Sequence, residues 1–312
     1  MITFDKLKII TNINYITNID YERFVTHLKG DELLYYKYKQ TSPFLLEVRA
    51  DYNKHELVIE FTSKILREQY KELINRNNIT RCLDEINRLG ICQLNTQQIL
   101  LNSLVAKCDI TKDIKGYDIK DIINQVRQNL SNYQKWVCKN YAGGLVLENA
   151  VSTPRHKKRL TIYDKEKELM KATNAEFLKS LPNMEETIKH FTNTVRFELN
   201  INTEKQIREL LKISDNDLNS VIHSNENPIL TIMDEAIREV KASSTAQNLR
   251  DYEHELLLKE CHYDLSEVEA KIRGLISKNT SISRIMQPYK MLYQQHFNFT
   301  SKNTIQLRNL IT

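Results

Sequence analysis

The chain has 312 residues, 41% hydrophobic and 27% charged, and 45 Lys and Arg against 40 Asp and Glu leave a formal net charge of only +5. That is enough chain for a sizeable core without disulfide staples, and the composition is that of a globular protein and points away from disorder. No apolar run approaches the roughly 20 residues that cross a bilayer, and "MITFDKLKII" lacks the order of a signal peptide, so a cytoplasmic protein with no membrane partner is expected.

The first forty residues are too mixed to assign. From Phe44 the pattern sharpens: "FLLEVRAD" and "HELVIEF" are rich in β-formers on either side of the turn-like "DYNK", which predicts a hairpin. "SKILREQYKELI" and "TRCLDEINRLG" carry apolar residues three and four apart, predicting two amphipathic helices, the second begun near Asn78 or Thr80 and stopped by Gly90. "LVAKCDI" predicts a strand and "YDIKDIINQVRQNLS" a helix with Asp118 near its start. "KWVCKNY", "GGLVLENA" and "KRLTIYD" predict three more strands, "DKEKELMKATNAEFLKSL" helix up to Pro182, and "NTVRFELNI" the last strand. Beyond Ile201 the segments have helical period and none reads as a strand. The expected architecture is α+β: a mainly antiparallel sheet with flanking helices over residues 1–205, then an all-helical C-terminal domain over 206–312. Cys82, Cys92, Cys108, Cys138 and Cys261 never form C-x-x-C, which points away from a zinc ribbon or a disulfide framework.

Three segments join a strand pattern to polar residues on one face. In "VRFELNI", Arg196, Glu198 and Asn200 alternate with Val195, Phe197, Leu199 and Ile201. A metal ligand at Glu198 and a cross-strand ion pair both explain that pattern. In "KCDITKDI", Asp109 and Asp113 share a face about 13 Å apart on a straight strand, at roughly 3.3 Å per residue. Either the strand bends and both reach one site, or one alone is a ligand, with Asp109 favoured. In "RLTIYDKEKEL", Tyr163 and Lys165 fall on alternate positions, so on a strand they share a face about 6 to 7 Å apart. Immediately before lies the run Arg155, His156, Lys157, Lys158 and Arg159, either a solvated turn or a contact for the phosphates of a nucleic acid.

Hard cations such as Mg2+ or Mn2+ take carboxylate oxygens, with water and phosphate completing the shell, and Asp109 and Glu198 on neighbouring strands suit one. A tyrosine with its ordinary pKa near 10 is a poor nucleophile at neutral pH and needs a nearby cation or a base. Lys165 is the cation at hand. Transfer of a DNA strand to tyrosine is one reading of these parts.

"RLTIYDKEKEL" followed by "VRFELNI" resembles the paired signature of rolling-circle replication initiators of the filamentous-phage gene II type, together with related plasmid initiators. "KCDITKDI" is similar to their Asp-bearing strand, and "YAGGLVLENA" to the Gly-bearing strand before the basic turn. The likeness spans about Leu101 to Ile201. It implies an HUH-like nickase domain that binds single-stranded or hairpin origin DNA, cuts one strand with a tyrosine, and stays joined to the 5′ phosphate. Carried over, Tyr163 is the nucleophile, Lys165 its partner, Asp109 and Glu198 metal ligands, and Arg196 a neighbour of the phosphate. None of the eight histidines stands in the His-apolar-His arrangement of the wider superfamily. A host helicase contact and a homodimer are further partners that the helical tail could serve. His156 to Arg159 also fits the His-x-x-Arg of tyrosine recombinases, but there the tyrosine follows some thirty residues later on a helix. The other class is a sequence-specific DNA-binding replication or regulatory protein without chemistry.

Overall fold

The computed structural model describes residues 2–40, 43–129, 136–141, 143–150, 153, 158–237, 246, 248–276, 281–296 and 308–311. Among these the strands are β1 (Phe4–Asn12), β2 (Ile16–Thr17), β3 (Phe24–Lys29), β4 (Glu32–Tyr38), β5 (Leu45–Asp51), β6 (Glu56–Thr62), β7 (Gln93–Leu94), β8 (Leu104–Lys115), β9 (Trp136–Tyr141), β10 (Gly144–Asn149), β11 (Arg159–Asp164) and β12 (Thr194–Ile201). All but β2 and β7 join one sheet in the order β3-β4-β5-β6-β1-β8-β12-β11-β10-β9, and every pairing is antiparallel. The α+β class with a large antiparallel sheet and flanking helices stands as expected.

Alternation decides which side chains meet. Phe197 faces Ile162, and Ile162 faces Leu145, so one sheet face is a continuous apolar layer. Helices over Ile119–Asn129, Glu204–Leu211 and Pro228–Ala236 pack on strands β8 and β10 to β12. A one-residue slip of β12 would turn Phe197 out and Glu198 into this layer, so burial pins the register.

Several elements differ from expectation for physical reasons. β1 to β4 lie in the stretch that could not be assigned, and β1 occupies the middle of the sheet. "SKILREQYKE" is no single amphipathic helix: it is 3-10 helix from Ser63 to Glu72, broken at Arg67 with φ 50°. Its Tyr70 packs with Phe177 and Phe191 against the polar face of the sheet. The expected domain break at 205/206 falls inside the main core, because Ile207, Leu211, Val221, Ile232 and Ile237 share one apolar cluster with the strands. A second cluster, including Leu258, Val268, Ile272 and Tyr293, draws on helices at Leu249–Glu260, Leu265–Leu275 and Ile282–His296. Arg127 ties the two together, donating from Nη2 to Asp264 at 3.1 Å and to Glu267 at 3.0 Å. Among the described residues no helix is long and apolar enough to cross a membrane.

Candidate active site

The polar face of the sheet is a grid set by register. One row across the strands reads Asp113, Arg196, Tyr163, Gly144, Tyr141, from β8 through β12, β11 and β10 to β9. The next row reads Thr111, Glu198, Thr161, and the next runs from Lys6 through Asp109 to Asn200. Glu198 is therefore the diagonal neighbour of Tyr163 on the adjacent strand, within reach of long side chains. The Tyr163 hydroxyl donates to Glu198 Oε2 at 2.7 Å, and Asn200 donates to the other carboxylate oxygen at 3.3 Å.

This pair opens on a cleft of about 360 Å³ whose walls include Asp5, Lys6, Asp109, Tyr141, Lys165 and Glu168. Tyr163 is only 8% exposed. Burial, then the charge of Glu198, lifts its hydroxyl well above the ordinary tyrosine range. Burial, then the nearby Asp5 and Asp109, lifts the Glu198 carboxyl above the usual carboxylate range. Burial also raises Asp109, although Lys6 Nζ lies 2.8 Å from its Oδ2.

No protein-family model, curated protein or solved structure matches this chain.

Two expected site residues have other positions. Arg196, expected beside a phosphate, is fully buried at 0% exposure. Its Nε and Nη2 donate to both oxygens of Asp113, at 2.6 and 2.7 Å, and its Nη1 donates to Asp5 at 3.0 Å. Its planar fork is already filled by carboxylates, so it organises the floor of the cleft. Asp113 is correspondingly taken up as the partner of Arg196. The unbroken run of β8 from Leu104 to Lys115 keeps it apart from Asp109, as on a straight strand.

Lys165 arrives by a different route from the one its spacing suggested. β11 ends at Asp164, whose side chain caps the following helix by accepting from Lys167 N. Lys165 opens that helix at 2% exposure, and its Nζ donates to Glu168 at 2.5 Å. The ammonium lies 5.8 Å from the Tyr163 ring centre, 5.4 Å from that of Tyr70 and 5.9 Å from that of Phe191. Burial and Arg196 oppose its charge, yet Tyr70, Asp5 and Glu168 keep its pKa above the ordinary lysine value.

In the basic run, Arg155, His156 and Lys157 lie outside the described residues. Lys158 bonds both oxygens of Glu235 at 2.9 and 3.0 Å, and Arg159 lies 3.8 Å from Glu148. Sequence reasoning missed Asp5 and Lys6. Lys6, Leu7, Lys8 and Ile9 alternate as a half-buried strand does, which was the available signal for Lys6. Asp5 had none, because it reaches the cleft through a register shift between Phe4 and Lys6 where β1 meets β8.

Asp109 and Glu198 are the carboxylates expected to hold a hard cation, and each is crowded by like charge. No group of three or more His, Cys, Asp or Glu side chains gathers as a metal site among the described residues. A magnesium-type ion that keeps its waters needs only one or two carboxylates, so the donor set fits.

Proposed function

We propose that this chain is a phage or plasmid replication initiator that nicks and rejoins a single strand of origin DNA through Tyr163, with Mg2+ or Mn2+. The observation that carries the reading is the 2.7 Å hydrogen bond from the Tyr163 hydroxyl to Glu198 at the mouth of a charged cleft. The motif resemblance supports it. The HUH-like fold, the DNA partner and the cytoplasmic location belong to the same proposal.

In the step itself, Tyr163 Oη bonds to the scissile phosphorus as the bond from phosphorus to the 3′ oxygen breaks. The phenolic proton passes to Glu198, and water protonates the departing 3′ oxygen. Burial makes a free phenolate costly, so an aligned base is required, and Glu198 Oε2 stands 2.7 Å from the hydroxyl. Lys165 places a fixed positive charge under the ring as negative charge develops. A cation on Asp109 and Glu198 would neutralise charge on the phosphate. Rejoining reverses the sequence, with the 3′ hydroxyl attacking the phosphotyrosine.

One observation favours a second reading. The low exposure of Tyr163 also suits a structural tyrosine in a DNA-binding protein without chemistry. Incubation with Mg2+ and labelled single-stranded oligonucleotides tiled across the encoding element separates the two. The proposed function requires an adduct that survives denaturant, whereas binding with no adduct on any tile would favour the second reading.

Glu198→Gln sharpens the distinction. Because Asp5 and Asp109 repel the Glu198 charge, its removal should leave stability within about 1 kcal/mol of the parent while cleavage disappears. A large fall in Tm with cleavage retained would identify Tyr163 and Glu198 as a structural pair.

A further inference from the structure

Tyr141 occupies a position that the proposed chemistry has not used. It ends β9, 40% exposed, and lines the same cleft as Tyr163. It belongs to the same cross-strand row as Tyr163, with Gly144 between them. Gly144 is what lets the ring lean inward. A Cβ built on it would lie 2.6 Å from the Tyr141 hydroxyl, 2.8 Å from its Cζ and 2.5 Å from the Ile162 carbonyl oxygen. The phenol therefore fills the notch that the missing side chain leaves, with its hydroxyl carried over β10 toward the strand that bears Tyr163. Tyr141 is thus a tyrosine on an edge strand that directs its polar end along the sheet into the cleft.

A phenol held there is a hydrogen-bond donor beside the point where the phosphorus must sit to meet Tyr163 Oη. The other donor of the row, Arg196, is fully buried and directs Nε, Nη1 and Nη2 at Asp113 and Asp5. We propose that Tyr141 is a second substrate-contacting phenol of this site, donating its hydroxyl hydrogen to a non-bridging oxygen of the DNA phosphate that rests on Tyr163. This rests on the proposed function for the identity of the ligand, a single-stranded phosphodiester. The part of Tyr141 is to hold and polarise the phosphate, and the part of Tyr163 is to attack it.

The experiment measures equilibrium binding of fluorescent single-stranded oligonucleotides to full-length Tyr163→Phe protein, in which the proposed chemistry is blocked. It then adds Tyr141→Phe, which removes one oxygen and keeps the ring. Binding about tenfold weaker is expected, the size of a lost hydrogen bond to a charged group, with Tm unchanged because the ring still fills the Gly144 notch. In the Tyr163-intact protein, Tyr141→Phe should slow adduct formation at saturating DNA. Equal affinity and equal adduct rate with and without the Tyr141 hydroxyl would overturn the assignment, as would a protein that binds no single-stranded DNA at all. Weaker binding through Tyr141→Phe in a protein that never forms an adduct would uphold the phosphate contact while removing the nicking reading. Gly144→Ala is a poorer probe, because its methyl also collides with the Ile162 carbonyl.

Discussion

Tyr163→Phe is expected to abolish the covalent protein–DNA adduct outright while leaving the protein folded and able to bind the same oligonucleotide. The substitution removes the only atom that can bond to phosphorus in the proposed step, and removal of a nucleophile from a concerted set commonly costs several orders of magnitude. The structural penalty is far smaller. Glu198 loses one donor at 2.7 Å but keeps Asn200, and the cleft admits water to the vacated position. A loss on the order of 1–2 kcal/mol is expected. Gel mobility under denaturing conditions reads the adduct, and calorimetry reads the stability. An adduct that persists at the parental rate would transfer the nucleophile to another tyrosine such as Tyr141 or Tyr117. Full unfolding would show that the phenol holds the sheet together, which no nicking mechanism asks of it.

The second large effect concerns stability. Arg196→Met should lower it by about 3–5 kcal/mol, because it strands Asp113 and Asp5 in a place built around a buried guanidinium. Asp5 retains Ser63 at 2.8 Å, whereas Asp113 loses both of its bidentate contacts. Arg196→Lys should recover only part of the loss, since one ammonium cannot reproduce a planar fork. Coupling Arg196→Met with Asp113→Leu should restore more than either single change predicts, because the stranded charge goes with its partner. Thermal unfolding of the parent, the three single variants and the double variant checks this. A melting temperature unaffected by Arg196→Met would free the guanidinium for the role at phosphate that its motif position first suggested.

Where the sequence was legible, alternation was the reason. "VRFELNI" sorted into Val195, Phe197, Leu199 and Ile201 inside and Glu198 toward the cleft, because a strand has only two faces and one of them is buried. The opposite face was less wet than alternation implied. Arg196 reads as polar and therefore exposed, yet Phe191 from just before the strand and Tyr70 from a distant segment cover it, and a motif says nothing about what covers a strand. Lys165 was placed near Tyr163 for the wrong local reason. Asp164 starts a helix there, so the backbone turns and the lysine returns beneath the ring. β1 was hard to assign because its alternation runs only from Lys6 onward, Asp5 and Lys6 breaking it at the step where the strand is irregular. The helices after β12 divide between two apolar clusters, and helical period alone cannot tell a helix that covers a sheet from one that belongs to a bundle.

The irregular step at Phe4–Lys6 allows two consecutive side chains of opposite sign to serve the same concavity. Asp5 completes the shell of the guanidinium in the floor, and Lys6 moderates the acid at the rim. If that kink were straightened, one of the two would swing into the greasy layer behind the sheet. Electrostatic balance around the phenol is therefore tied to the shape of a single peptide step far from it in the chain, and a one-residue deletion there would unbalance the site without touching Tyr163, Glu198 or Tyr141.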